Sequence, residues 1–412
     1  MEARLLSPND IKNSLVNLPQ IVFEVTDDCN LKCVYCAYGE LYCDYDNRSG
    51  KNMKLADVKL LIDYLADLWN NNSPEASVPE TYIGFYGGEP LLNVSFIKEV
   101  IEYIESLNLN RRFKYSLTTN AVLLDRYMTF LVEKNFSLLI SLDGDEYANS
   151  YRVNKAGRNS FKRVLQNVLN LKNTYPDYYE SQVSFNSVLH DRNDVAPLLD
   201  FFKKELSKRP ELSELSTTGL NPKKKGVFDK MYNSIINSYH KAIDYETLSA
   251  DDFMNCPEAY ALMRLIEAES NNILYSYKQL LPSSNKEYVP TGTCIPFSRK
   301  MFVTVNGKIL PCERISHAYS LGRVTHDHLD LNIKEIVEKH NGYLKKVLKN
   351  CTACANKYNC LKCIYQIDEL NCRTITCDRH MSAEELDRYN KERYSLLKSK
   401  KGLYHRVLES LK

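Results

Sequence analysis

Between Ile21 and Leu206 the chain alternates two kinds of segment, and this alternation limits what it can fold into. Short runs rich in β-branched and aromatic residues read as strands: IVFEV (21–25), TYIGFY (81–86), FKYSLTT (113–119), FSLLISLDG (136–144) and SQVSFNSVL (181–189). The stretches between and after them repeat apolar residues at helical spacing: MKLADVKLLIDYLADLW (53–69), NVSFIKEVIEYIESL (93–107), LLDRYMTFLVEKN (123–135), NSFKRVLQNVLNLKN (159–173) and DVAPLLDFFKKEL (194–206). Strands and helices in this order predict βαβ units and a parallel sheet in an α/β fold. A barrel, or most of one, fits the pattern, and an open doubly wound sheet fits nearly as well. In both, chemistry gathers at the C-terminal ends of the strands.

The 412 residues suggest roughly two or three domains. Lys and Arg number 54 against 52 Asp and Glu, a formal net charge of +2, so global charge points to neither nucleic acid nor a membrane surface as partner. No apolar stretch approaches the ~18–20 residues needed to span a bilayer, and MEARLLSPND lacks a signal pattern. A soluble, cytoplasmic protein is expected. In a reducing compartment the 13 cysteines read better as metal ligands than as disulfides.

Three cysteines, Cys29, Cys33 and Cys36, follow the first strand in TDDCNLKCVYCAYGE (26–40), spaced C-x3-C-x2-C. Thiolates select zinc, Cu(I) or iron–sulfur centres. A structural zinc site closes with four ligands, so three clustered thiols imply either a distant fourth ligand, with Cys43 one candidate, or a centre with one open position.

With Tyr35 before the third cysteine, this loop resembles that of the radical S-adenosylmethionine (SAM) enzymes. The resemblance implies a [4Fe–4S] cluster held by Cys29, Cys33 and Cys36, with SAM chelated at the fourth iron. Reductive cleavage would release a 5′-deoxyadenosyl radical that abstracts hydrogen from the substrate. GFYGGEPLL (84–92) looks like the family's GGE motif: Gly87 and Gly88 would let backbone approach the methionine moiety, and Glu89 would accept its ammonium. SLTTN (116–120) resembles the strand-end motif lining the cofactor pocket, with Thr119 and Asn120 as candidates. ISLDG (140–144) resembles the next, with Ser141 and Asp143 near the ribose, and in YRVNKAGRNSF (151–161) Arg152 is a candidate partner of the cofactor carboxylate. For these polar residues helix capping or turn formation is the plain alternative.

Eight more cysteines lie between Cys294 and Cys377. Cys294 and Cys312 frame KMFVTVNGKILP, a hairpin signal around Asn306–Gly307. Cys351, Cys354, Cys360 and Cys363 follow as C-x2-C-x5-C-x2-C, then Cys372 and Cys377. Spacing alone fits a zinc ribbon. Jointly these segments resemble the SPASM extension of radical SAM enzymes, which holds two auxiliary [4Fe–4S] clusters. Carried over, Cys351, Cys354, Cys360 and Cys377, ahead of Cys372, would hold the outer cluster, and Cys294, Cys312 and Cys363 the inner one. Two departures stand out: Cys360 and Cys363 are separated by two residues where the family usually has three, and no cysteine lies just before Cys294. The inner cluster thus has an open iron or recruits Cys372 or Cys256. Cys43 and Cys256 stay unassigned.

The resemblance implies a partial (β/α)6 TIM-like radical SAM barrel (1–210), a helical bridge or insertion (211–290), a small Cys-rich α+β SPASM domain (291–380) and a C-terminal helix (381–412). MFVTVNGKILPCERI followed by LGRV looks most like maturases of ribosomally made peptides. The expected function is installation of a thioether or C–C crosslink in a precursor peptide, with epimerisation as a variant. An anaerobic sulfatase-maturating, formylglycine-forming enzyme is the alternative, with Asp368 and Glu369 as candidate proton acceptors. A non-catalytic zinc-scaffolded binding module is the alternative from another class. A flavodoxin- or ferredoxin-type reductant is implied. The first strand begins near Ile21, leaving no room before it for a leader-binding domain, so a separate leader-binding protein or the surface of 207–290 would serve instead.

Overall fold

The computed structural model describes residues 4–77, 79–242, 253, 256–269, 291–358, 360–367, 370–372, 375–399 and 402–410. Six parallel strands follow one another in chain order: β1 (Gln20–Thr26), β2 (Glu80–Gly87), β3 (Arg112–Thr119), β4 (Ser137–Ser141), β5 (Val183–Leu189) and β6 (Glu211–Glu214). After α1 (Pro8–Val16), the crossovers are α2 (Leu55–Asn70), α3 (Val94–Ser106), α4 (Leu124–Glu133), α5 (Phe161–Thr174) with α6 (Pro176–Gln182), and α7 (Val195–Phe201). A doubly wound sheet reverses strand order at a switch point. Here β1 to β6 run without reversal, which is the order of a partial barrel.

The strands bury one face more completely than the other from β2 to β5. Phe23, Phe85, Leu117, Ile140 and Phe185 are buried, and Phe23 packs edge-on against Phe96 of α3 at 6.0 Å. The opposite face carries Tyr86, Ser116, Thr118, Ser141 and Asn186, all half-buried. Apolar residues thus glue one face to the helices, while the other is a half-buried, largely polar wall.

The predicted hairpin forms: β7 (Met301–Val303) and β8 (Lys308–Leu310) pair antiparallel, and Gly307 closes the turn at φ +76. Strand β7 then joins β1 in parallel, and β9 (Gly322–Val324) and β10 (Leu329–Asp330) extend the sheet to ten strands. Contacts divide the chain into two compact units. One comprises Lys12–Ile235 and Pro296–Asn332; the other comprises Met1–Ile11, Ile236–Ile295 and Ile333–Lys412. Residues 296–332 therefore belong with the sheet, whereas the sequence boundaries set 291–380 apart as one segment.

Two elements differ from expectation. The segment 211–290 is expected to be a helical bridge or insertion, yet Glu211–Glu214 pairs with β5 as an edge strand; ELSE carries little apolar signal because backbone pairing holds it. The tail forms two helices, Ala383–Ser399 and Leu403–Ser410, where the sequence suggested one. No helix among the described residues is long and apolar enough to cross a membrane.

Arg111 ties the start of the sheet together. It is buried, donates to Thr81 Oγ1 at 2.7 Å and to the Val16 carbonyl at 2.6 Å, and lies 4.3 Å above the Trp69 ring. Arg111→Ala should destabilise the protein by about 2–3 kcal/mol, because charged hydrogen bonds are lost and their acceptors stay buried. Denaturant unfolding monitored by circular dichroism checks this; an unchanged midpoint would contradict it.

Candidate active site at the C-terminal ends of the strands

Strand β1 leads directly into the three-cysteine loop, which is gripped from both sides. On one side Gly88 N–H donates to Thr26 O (2.8 Å) and Glu89 N–H to Asp28 O (3.0 Å). On the other, Lys32 N–H donates to Val153 O (2.7 Å) and Val34 N–H to Tyr151 O (3.1 Å). The buried Asp27 carboxylate accepts from the backbone of Ser49 and Lys51 at 2.9 and 2.6 Å. Below, Tyr35, Leu41 and Tyr42 pack with Leu215, Phe228 and Met231.

The glycines of GGE make this grip possible. Gly87 adopts φ +130, and a Cβ on Gly88 would overlap the Asp28 carbonyl. What approaches them in the structure is the backbone that carries the cysteines.

Cys29, Cys33 and Cys36 are near neighbours. Burial pushes the Cys29 thiol up to about 11 and Cys33 to about 12; Cys36 adds to both, Cys29 to Cys33, and Glu89 to Cys29. Among the described residues no three His, Cys, Asp or Glu side chains converge closely enough to hold a single metal ion.

Glu89 is fully buried. Its Oε1 accepts from Thr119 Oγ1 (2.7 Å) and Leu91 N–H (3.1 Å), and its Oε2 from Asn120 N–H (2.8 Å). Burial raises it to about 7 against these hydrogen bonds. A carboxylate offers about four acceptor sites. Three are used, and no cation pairs with Glu89 among the described residues, so it is built to receive one more positive donor. Asn120 Nδ2 donates to Asn30 Oδ1 at 2.7 Å and lies 3.7 Å from Cys29 Sγ, which brings the β3 end to the cysteine loop.

Asp143 and Arg152 meet each other. Arg152 Nε and Nη2 contact the two Asp143 oxygens at 2.9 Å each, and both side chains are buried. Val188 N–H (3.0 Å) and the Tyr35 hydroxyl also donate to Asp143. Burial alone would raise Asp143, but the charge and hydrogen bonds of Arg152, with a hydrogen bond from His190, hold its carboxyl well below the usual range. The pair therefore props Tyr35, and with it the turn between Cys33 and Cys36. Ser141 sits at the half-buried end of β4, opposite Asn186 in register.

Sequence reading missed two acids in this unit. Glu24, 2% exposed, accepts from Val305 N–H at 2.8 Å, and burial raises it to about 7. Glu313, beside Cys312, pairs with Lys300 at 3.0 Å; burial works against its ionised form, but Lys300 and Arg314 outweigh this and hold it below the usual range. Its charge reaches Tyr86 of β2. An acid inside IVFEV and one directly after Cys312 were the available signals. Asp368 and Glu369 lie outside the described residues.

In the other unit Cys351, Cys354, Cys360 and Cys377 lie within mutual electrostatic reach, and Cys363 lies beside Cys294. Ile364 N–H donates to Thr293 Oγ1 (2.8 Å), and Lys362 pairs with Asp378 (3.0 Å), which fixes these segments. Cys372 and Cys43 are exposed, Cys256 is buried, and Cys312 belongs to the sheet unit.

Gly88→Ala should cost about 1–3 kcal/mol by overpacking and lower the iron retained by the first three cysteines. Thermal melts and iron analysis after anaerobic reconstitution measure both; wild-type values would contradict the observed grip.

Residues 23–203 match the family model described as Radical SAM superfamily. Over 195 residues the chain is 30% identical to the cysteine-type anaerobic sulfatase-maturating enzyme of Clostridium novyi, covering 46% of this chain and 49% of that protein. Over 231 residues it is 25% identical to the radical SAM cyclopropyl synthase TigE of Paramaledivibacter caminithermalis, covering 53% and 46%. The chain thus spans about half the length of these two relatives. The solved structure of native anSMEcpe with bound AdoMet covers 95% of this chain and 98% of its own, at a TM-score of 0.58 and 20% identity, a likeness of fold. The protein is an enzyme that carries a radical SAM domain, and the family implies SAM and a [4Fe–4S] cluster as its cofactors.

Proposed function

We propose that the chain oxidatively modifies a side chain of a ribosomally made peptide, joining it to a second residue through a thioether or C–C bond. The observation that carries the radical chemistry is Glu89, a fully buried carboxylate with acceptor capacity left, beside the three thiols. Cys29, Cys33 and Cys36 would hold the cluster, and Glu89 would take the ammonium of SAM. When bound, this cofactor pair supplies a 5′-deoxyadenosyl radical that takes a hydrogen atom from the substrate. Gly87 and Gly88 keep the loop close, Thr119 and Asn120 orient Glu89, and Asp143 and Arg152 brace Tyr35. Ser141 and the half-buried polar wall would face adenosine and peptide.

Crosslinking replaces a C–H and an S–H or second C–H bond by one new bond. One hydrogen leaves on 5′-deoxyadenosine, one leaves as a proton, and one electron needs an acceptor. Glu313, held below the usual carboxylate range by Lys300, would accept the proton. Cys351, Cys354, Cys360 and Cys377 would hold an auxiliary [4Fe–4S] cluster able to take the electron, and Cys294 with Cys363 would contribute to a second. The proximity of Cys377, rather than the exposed Cys372, to Cys351 and Cys360 supports that ligand set.

Formylglycine formation on a sulfatase is the second reading. It is favoured by a 24% identical match over 399 residues, 90% of this chain, to the cysteine-type anaerobic sulfatase-maturating enzyme of Clostridium perfringens. Both readings require a peptide or protein substrate and an external reductant of flavodoxin or ferredoxin type. The relationship to enzymes sets aside the non-catalytic zinc module.

Anaerobically reconstituted protein should bind about twelve irons, three cubanes' worth. A Cys29/Cys33/Cys36→Ala variant should retain about eight and form no 5′-deoxyadenosine. Zinc in place of iron would overturn the assignment. Incubation with SAM, a reductant and candidate peptides, read by tandem mass spectrometry, tests the product. A crosslink removes two mass units shared between two residues, whereas formylglycine confines the change to a single Cys or Ser.

A further inference from the structure

Beside the cysteine loop lies a buried aromatic group whose polar ends are not all used by the chain. Tyr38, two residues beyond Cys36, packs against Tyr45 with ring centroids 4.9 Å apart and carries the Arg48 guanidinium 4.0 Å over its ring. His317 meets Tyr45 edge-on at 5.1 Å and lies 6.3 Å from Tyr38. The Tyr38 hydroxyl, Arg48 Nε and Nη2, and His317 Nε2 are buried and have no hydrogen-bond partner among the described residues.

All of these are donors. His317 is 3% exposed, and burial favours its neutral ring. Its Nδ1 accepts the Asp46 backbone N–H at 3.2 Å and lies 3.5 Å from the Asp46 carboxylate; with Nδ1 the acceptor, a neutral ring carries its N–H on Nε2. The Tyr38 hydroxyl faces Glu24 and steadies its ionised form, but the two lie outside hydrogen-bonding geometry. The nearby carboxylates are engaged: Glu24 accepts from Val305 N–H, Asp46 pairs with Lys308 at 2.6 Å, and Asp27 accepts from Ser49 and Lys51. Buried donors without acceptors are costly, the charged one most of all. A carboxylate, with two oxygens and a negative charge, is the ligand that relieves this cost at a guanidinium, a phenol and an imidazole N–H together.

The position relates the group to the reaction. The charge of Arg48 acts on Glu24 and on Cys29, a ligand candidate of the cluster. Arg152, expected from the sequence to hold the cofactor carboxylate, is committed to Asp143. We propose that Tyr38, Arg48 and His317 form a carboxylate-binding site beside the cysteine loop. Its ligand is the amino-acid carboxylate of SAM or an acidic group of the peptide substrate. The proposal rests on reading this end of the sheet as the reaction site, and not on which product forms there.

Calorimetric titration of the reconstituted enzyme separates the two sources. Wild type, Arg48→Gln, Arg48→Lys and His317→Phe are titrated with SAM, with decarboxylated SAM and with glutarate, after thermal melts confirm folding. If the cofactor is the source, wild type prefers SAM to its decarboxylated form, and Arg48→Gln loses about tenfold in affinity for SAM alone. If the peptide is the source, all variants keep wild-type affinity for both SAM forms, and glutarate binding falls about tenfold in Arg48→Gln and His317→Phe. Arg48→Lys restores part of the lost affinity in either case. Arg48→Gln indistinguishable from wild type toward all three probes overturns the proposal. Failure of wild type to bind SAM at all counts against the radical SAM reading and leaves the glutarate arm to decide the site.

Discussion

The backbone of the cysteine loop is held between two partners distant in sequence, and the rest of the site depends on that grip. Gly88 and Glu89 take the carbonyls of Thr26 and Asp28, while Tyr151 and Val153 take the amides of Val34 and Lys32. The first of these contacts leaves no room for a side chain at Gly88. The motif glycines therefore act first on the protein itself. They bring the ends of β1 and β2 together so that Glu89 and three thiols share one small volume.

Two buried acids in that volume are treated in opposite ways. Asp143 is fully compensated: Arg152 grips it with two hydrogen bonds, and Tyr35 and Val188 N–H complete its shell. A buried ion pair this complete holds geometry rather than binding a ligand. Glu89 has neutral donors only, and burial raises its pKa. The contrast separates bracing from binding among residues that sequence motifs place in one category.

Much of this was legible because strand and helix periods differ and because motif residues fall at strand ends. IVFEV, TYIGFY and FKYSLTT form strands where their sequences place them, and the loops that follow them meet. The strand ELSE escaped notice because an edge strand is held by backbone pairing. The joining of β7 to β1 could not be read, since nothing local in either strand encodes a partner nearly the whole chain away. Roles defined by partners were hidden for the same reason. Arg152 and Asp143 looked like two ligands until their mutual pairing was seen, and Arg48 carries no motif at all.

The central claim is that Glu89 receives the cofactor ammonium next to an iron left open by three cysteines. Electron–nuclear double resonance of the reduced enzyme, with SAM isotopically labelled at its amino nitrogen, tests it most directly. The account predicts a nitrogen coupling to the cluster in wild type that is lost in Glu89→Ala. A wild-type cluster that binds SAM without any coupling to its amino nitrogen would contradict it.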